Sequence, residues 1–187
     1  ANTQPNVEFL VPLGLKLLLE EWGGTNVTEL DWWQQVQRKG VTIQPTPVQH
    51  WSKRTFFDRN KTLWSAWMIQ WSDFALYFAG DAGYSSDFKE TVKKLGKPDL
   101  AAIPIGAYEP RDFMKSAHIN PEEAVKVFSD LGAKYAIGIH WGTFKLTLEP
   151  MNEPPKRLKK ALKAAGVDSK TFRTLKHGEM WPEVLPN

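Results

Sequence analysis

Two histidines and one aspartate stand where runs of mainly apolar residues end, and together they could bind a metal ion. These residues are His50, Asp81 and His140. Imidazole and carboxylate groups are ligands that zinc accepts in proteins. A strand end holds the backbone firmly while the next residue turns toward a cleft, and catalytic groups need such rigid support. The pattern therefore predicts a metal-dependent hydrolase.

Glycines surround two of these three residues. A glycine is costly inside a strand unless the backbone must turn sharply or approach another group closely. One histidine at a strand end is more often structural, but three coincident ligands at strand ends favour the metal site. The glycines are Gly80 and Gly83 around Asp81, and Gly138 and Gly142 around His140.

Other polar residues are secondary candidates. His118 precedes a predicted helix and could approach an anion or a leaving group, whereas a surface hydrogen bond is the better interpretation of His177. Arg111, or Lys53 with Arg54, could hold a phosphate through charge-assisted hydrogen bonds. Structural ion pairs explain these cations equally well.

Composition excludes several classes of function. With 42% hydrophobic and 24% charged residues, the 187-residue chain is typical of one globular domain. The net charge of +3 is too small to indicate a nucleic-acid partner. The chain contains no cysteine, so a metal must use histidine and carboxylate. No apolar run approaches the roughly 20 residues that span a bilayer, so we expect a soluble or peripheral protein of unknown compartment.

Apolar periodicity and turn residues predict a sheet covered by helices in a single domain, residues 1–187. The clearest helix start is Asn120, an N-cap followed by Pro121 and by Glu123 as its capping-box partner. The predicted strands are 7–11, 27–30, 41–44, 62–69, 74–78, 100–105, 135–139 and 172–175, of which 62–69 and 74–78 form a hairpin. The predicted helices are 13–22, from 85 or 86 to about 95, 121–131 and 154–165.

Four segments together resemble a known family. They are Gln-His-Trp-Ser-Lys-Arg at 49–54, Phe-Ala-Gly-Asp-Ala-Gly-Tyr at 78–84, Ala-Ala-Ile-Pro-Ile-Gly-Ala-Tyr-Glu-Pro-Arg at 101–111 and Ile-His-Trp-Gly-Thr-Phe at 139–144. The chain resembles metallo-β-lactamase-fold hydrolases over residues 9–177. More narrowly, it is similar to the branch that includes N-acyl-phosphatidylethanolamine-hydrolysing phospholipase D and its bacterial relatives.

The resemblance implies an α/β (α+β) fold, the four-layer αββα sandwich, with two Zn²⁺ at one edge of its sheets. It implies that His50 binds the first metal and His140 the second. Asp81 would bridge both metals as part of the catalytic machinery. His118 would act as a second catalytic residue that hydrogen-bonds the phosphate or the leaving oxygen.

The family's remaining ligands lie in a His-x-His-x-Asp-His loop, and that spacing does not occur among the four histidines here. The chain is therefore expected to be a C-terminal half, only part of the sandwich. A missing N-terminal half, in the same or a separate chain, would supply the other ligands. Alone, the chain is expected to be inactive, because three residues rarely saturate two zinc ions.

The implied reaction is phosphodiester hydrolysis of phospholipase D type, on N-acyl-phosphatidylethanolamine-like lipids, through a metal-bridging hydroxide. One alternative is a lactone or ester hydrolase of the same fold acting on another small-molecule ester. A second is a non-catalytic binding fragment whose exposed tryptophans mark a contact. A peripheral membrane contact and a homodimer both remain open.

Overall fold

A computed structural model describes residues 7–181 of the chain. The strands are β1 (Phe9–Pro12), β2 (Val27–Leu30), β3 (Val36–Arg38), β4 (Val41–Thr46), β5 (Ala66–Gln70), β6 (Ala75–Phe78), β7 (Leu100–Pro104), β8 (Tyr135–Ile139) and β9 (Phe172–Arg173). The helices are α1 (Lys16–Glu21), α2 (Asp87–Leu95), α3 (Arg111–Met114), α4 (Pro121–Leu131) and α5 (Glu153–Ala164). Within this range no helix has the length and apolar character needed to cross a membrane.

Seven strands form one mixed sheet in the order β3-β4-β5-β6-β7-β8-β9. Neighbours from β3 to β6 are antiparallel, and neighbours from β6 to β9 are parallel. Helices connect the parallel strands, as parallel pairing requires. Strands β1 and β2 form a separate parallel pair. The result is the mixed α/β fold that the sequence predicts.

The core lies under helices α2, α4 and α5. Strand β7 is buried along most of its length, as expected for a parallel strand covered on both faces. Helix α4 packs against both α2 and α5 and against β7. The largest fully buried side chains include Tyr77, Phe88, Phe172, Ile103 and Leu131. This packing fixes the strand ends that carry the polar residues.

Most predicted elements are present, but some bounds differ for local reasons. The strand predicted over 62–69 begins only at Ala66, because the preceding residues form a loop in which the Trp64 indole donates to the Val48 carbonyl at 2.8 Å. The helix predicted over 13–22 is shorter, because Gly14 adopts a φ of +85° in a turn. Strand β3 and helix α3 were not predicted, since their three- and four-residue segments carry little periodicity.

Candidate metal centre

Four strands of the large sheet run in the same direction and bring their carboxyl ends to one edge. Strand β4 is antiparallel to β5, which is antiparallel to β6, so β4 and β6 share a direction; β7 and β8 are parallel to β6. His50, Asp81, His118 and His140 lie in the segments that follow β4, β6, β7 and β8 respectively. The topology therefore gathers these four residues at one edge.

The loops that carry His50 and Asp81 are joined directly. Gln49 and Gly83 form an isolated antiparallel bridge, in which the Gly83 N–H donates to the Gln49 carbonyl at 2.7 Å. A Cβ at Gly83 would lie 2.7 Å from the Ser116 carbonyl oxygen, so the position needs glycine. Close approach of three loops thus sets the spacing between the two candidate ligands.

The four side chains converge. The ligand atoms of His50, Asp81 and His118 all lie within 4.8 Å of one another. The His140 Nε2 lies 3.3 Å from Asp81 Oδ1, and the His118 ring centroid is 5.5 Å from that of His140 and 5.3 Å from that of His50. Asp81 therefore lies close to each of the three histidines, and the group whose ligand atoms all lie within 4.8 Å of one another contains His118 in place of the predicted ligand His140.

Three buried imidazole nitrogens in this cluster have no hydrogen-bond partner among the described residues: His50 Nε2, His118 Nδ1 and His140 Nδ1. Burying a polar atom without a partner is costly, so each nitrogen fits a site for a ligand. Within His50 the Nδ1 lies 2.8 Å from the Trp51 carbonyl oxygen, to which an Nδ1–H can donate. That bond leaves the Nε2 lone pair free, as in metal-binding histidines. The donor set suits zinc.

His118 is held in its neutral form. The pKa of His118 is lowered to about 4, mainly by burial; Asp81 opposes this shift, and the nearby imidazoles of His50 and His140 add to it. A neutral imidazole offers one N–H donor and one lone pair. His118 can therefore either bind a metal or hydrogen-bond an anion at this edge.

The backbone at His140 is constrained. His140 has a φ of +60°, in the left-handed region that is uncommon for residues other than glycine. Such strain persists where neighbouring structure imposes it, often at functional sites. Gly106 lies against it, and a Cβ there would overlap the His140 carbonyl oxygen. The end of β7 therefore fixes the turn that presents His140.

Arg111 supports His118 through the backbone. The Arg111 Nη1 donates to the His118 carbonyl at 2.7 Å, and its Nη2 pairs with the Glu123 carboxylate. Glu123 also completes the capping box of α4 with Asn120. These contacts favour the structural alternative for Arg111 over phosphate binding, and they tie the His118 loop to the start of a helix.

Glu149 is a supporting residue that sequence reasoning missed. Its side chain is only 7% exposed, and its carboxylate accepts hydrogen bonds from the backbone N–H groups of Ala107, Tyr108 and Glu109 at 2.7–3.2 Å. Ala107 has a φ of +62°, so the loop after β7 is strained and needs this anchor. No sequence signal links residue 149 to a loop some forty residues earlier.

The remaining candidates lie around the cluster. His177 is outside it, and its Nε2 pairs with the Thr143 hydroxyl at 3.0 Å. Lys53 and Arg54 line a groove of about 530 Å³ that also contains His50 and Asp81. Two cations thus line the same groove as two of the metal-capable groups, and the Arg54 Nη1 donates to the Thr62 hydroxyl at 3.0 Å.

Comparisons with known proteins identify the family of this chain. Residues 1–141 match the family model of the beta-lactamase superfamily domain. N-acyl-phosphatidylethanolamine-hydrolyzing phospholipase D 1 of Caenorhabditis elegans is 44% identical over a 192-residue alignment, gaps included, that covers 96% of this chain and 54% of that protein. The mitochondrial enzyme of the same name from Saccharomyces cerevisiae is 37% identical over 171 residues, which cover 88% and 36%.

The fold has a close structural counterpart. A metallo hydrolase from the hyperthermophilic archaeon Ignicoccus hospitalis superposes with a TM-score of 0.71 at 21% identity, over 92% of this chain and 67% of that one. Identity at this level supports the fold alone. The chain spans about half or less of the length of the two curated relatives.

Proposed function

The chain belongs to the beta-lactamase superfamily and has the fold of its metallo-hydrolases, and from this premise we propose that it is part of a zinc-dependent phosphodiesterase. The proposed substrate is an N-acyl-phosphatidylethanolamine-like phospholipid, cleaved as by a phospholipase D. The 44% identity to a protein of that name supports the substrate class. We propose that residues 1–187 form one domain, the C-terminal part of the enzyme.

The observation that carries this proposal is the position of Asp81 between two histidines with unpaired buried nitrogens: its carboxylate lies within 4.8 Å of a His50 ring nitrogen and 3.3 Å from the His140 Nε2. In this proposal His50 would hold one zinc, His140 would hold the second, and the Asp81 carboxylate would serve as a ligand to both. When bound, the two metals would acidify a water molecule and neutralise charge on the phosphoryl oxygens. The chain itself supplies the fixed positions of these ligands at the sheet edge.

Residues around the ligands would position the substrate. Neutral His118 can donate an N–H to a phosphoryl or leaving oxygen, and the Arg111 contact to its carbonyl holds the loop in place. Lys53 and Arg54, in the groove beside His50, would pair with the phosphate. A preorganised set of donors of this kind lowers the barrier to phosphoryl transfer.

The other ligands would come from outside this chain. We propose that an N-terminal half, in the same or a separate polypeptide, supplies the His-x-His-x-Asp-His loop. Because the relatives are about twice as long or longer, the proposal accounts for the remainder of their length. The isolated chain would then bind metal weakly and lack turnover.

The experiment compares zinc content and phosphodiester hydrolysis in the full-length parent and three of its variants. Asp81→Asn and His140→Ala are expected to lower turnover roughly 100-fold or more, with loss of zinc, because both changes remove a ligand. His177→Ala is the matched control, since that histidine pairs with Thr143 outside the cluster. Unchanged zinc and turnover in both ligand variants would refute the proposal.

A substrate panel distinguishes the reaction from its alternatives. The parent is offered a phosphodiester lipid, a lactone and a simple carboxylic ester. Faster hydrolysis of the lactone or the ester would mean that the proposed substrate is wrong. The proposed metal site would still stand, because one scaffold can serve several chemistries. Zinc-free protein without turnover on any substrate would favour a binding fragment.

A further inference from the structure

Two adjacent phenylalanines project from the loop that follows His50. Phe56 is 89% exposed and Phe57 is 87% exposed. The name "aromatic-basic loop" is used here for residues 51–61, which contain these two side chains, Trp51 and several cations. Large apolar side chains next to each other at such exposure mark a contact surface. The cations of the loop are Lys53, Arg54, Arg59 and Lys61.

The aromatic-basic loop is structured rather than a loose tail. The Asp58 carboxylate accepts hydrogen bonds from the backbone N–H of Arg54 at 3.0 Å and of Thr55 at 2.7 Å. At the base, the Asn60 N–H donates to the Ser52 carbonyl at 2.8 Å. The turn therefore displays both phenylalanines in a defined place, which reduces the entropy lost on binding.

Cations and aromatic rings share one surface of the loop. The Lys53 Nζ lies 5.1 Å from the centre of the Phe56 ring, and the Arg59 guanidinium lies 5.3 Å from that of Trp51. Asp58 is the only acidic residue in the loop, against four basic ones, a formal excess of three positive charges. Its carboxylate is already bonded to backbone N–H groups, so it offers little competition for the cations.

We propose that the aromatic-basic loop docks the protein on membranes that contain anionic phospholipids. Phe56 and Phe57 would enter the boundary between headgroups and acyl chains, where aromatic side chains are favoured. The neighbouring lysines and arginines would pair with the lipid phosphates, each adding to the attraction. A protein partner fits less well, because protein interfaces are depleted of lysine and this loop has two.

The aromatic-basic loop lies next to the groove that contains two of the candidate metal ligands. It begins directly after His50, and the groove of about 530 Å³ runs from Trp51, Lys53 and Arg54 to His50 and Asp81. A phospholipid headgroup at the membrane surface would have a short path to the sheet edge. The docking itself is independent of the proposed hydrolysis, because membrane binding can be measured without turnover.

The first test is sedimentation of the chain with vesicles of phosphatidylcholine containing about 30% phosphatidylserine, and with pure phosphatidylcholine vesicles. The double variant Phe56→Ser, Phe57→Ser is expected to bind the anionic vesicles roughly tenfold or more weakly, because it loses two apolar side chains from the bilayer. Trp71→Ser is the matched control: Trp71 is 43% exposed in the β5–β6 hairpin, at the opposite edge of the sheet.

A charge test separates the two parts of the surface. Lys53→Gln with Arg59→Gln is expected to weaken binding about fivefold for each charge removed. Lys159→Gln with Lys160→Gln removes the same charge from exposed positions of α5 and should change binding little. If the α5 pair weakens binding as much as the loop pair, or if wild-type protein ignores anionic vesicles, the proposal is overturned.

The absence of cysteine allows a direct readout of insertion. A polarity-sensitive dye on Phe56→Cys should shift its emission to shorter wavelength only when anionic vesicles are added, whereas the dye on Ser72→Cys in the hairpin should not. A shift that follows protein concentration without vesicles would show pairing of two copies through the loop and overturn membrane docking. No shift under any condition would also overturn it.

Discussion

Replacing Glu149 should destabilise the loop beneath the candidate metal centre more than replacing any exposed residue. Its two carboxylate oxygens bond the N–H groups of Ala107, Tyr108 and Glu109, and the side chain is 7% exposed. Removing the carboxylate leaves three N–H groups of a strained turn without their acceptor.

The expected magnitude follows from the type of hydrogen bond. A hydrogen bond to a charged group contributes about 1.5–3 kcal/mol to stability. The cost of burying the carboxylate charge offsets part of the total from the three hydrogen bonds. We therefore expect Glu149→Ala to lower the free energy of unfolding by about 3–5 kcal/mol. Glu149→Gln keeps one acceptor oxygen and should cost about 1–3 kcal/mol.

The pH dependence has a definite sign. Burial raises the pKa of Glu149, but hydrogen bonds from Thr147 and from the backbone outweigh it and hold that pKa below its ordinary value. Because the folded-state pKa is lowered, the ionised carboxylate stabilises the folded protein. This stabilisation is fully present above the unfolded-state pKa of about 4.3, and it is lost as the pH falls through the folded-state pKa. The difference between wild type and Glu149→Gln should therefore shrink below about pH 4.

The assay is urea unfolding followed by circular dichroism at pH 7 and at a series of lower pH values. Glu90→Gln is the control, because Glu90 is a half-exposed helix residue whose pair with Lys94 at 3.4 Å contributes little. A Glu149→Ala loss below about 1 kcal/mol would refute the reasoning, since it would mean that water satisfies the three N–H groups equally well.

Two further substitutions test the supports of the site. Asn120→Ala should lower the free energy of unfolding by about 1 kcal/mol through loss of the α4 capping box, while Asn152→Ala, whose side chain caps nothing, should change it by less than about 0.5 kcal/mol in urea unfolding. Gly106→Ala should displace the turn at His140, because the added Cβ would clash with the His140 carbonyl oxygen. We expect the free energy of unfolding to fall by about 1–3 kcal/mol and zinc binding, measured by metal titration, to weaken. A zinc affinity equal to that of the wild type would show that the clash does not move His140.

Local signals in the sequence were enough to place several elements. Asn120, Pro121 and Glu123 predict the start of α4, and the structure confirms both halves of the capping box. The bounds of β8, Tyr135–Ile139, agree with its short apolar run. These features depend on neighbours in the chain, so periodicity and capping rules reach them.

The spatial part of the site depends on long-range pairing. Apolar runs ending at His50, Asp81 and His140 pointed to candidate ligands, but their meeting depends on the directions of β4, β6 and β8 in one sheet. Nothing local specifies those directions. Glu149 was missed for the same reason, because its partners are backbone groups of a distant loop, and backbone groups leave no mark in the sequence.

Because the candidate metal centre draws on four strand ends at one edge, it forms only when the large sheet is completely folded. His50, Asp81, His118 and His140 follow β4, β6, β7 and β8, so no short stretch of the chain can hold the cluster by itself. Forming the cluster therefore requires long-range pairing of these strands in register, which costs loop-closure entropy. A truncation anywhere between His50 and His140 would thus abolish the cluster, whereas changes outside that span would reach it only through the packing.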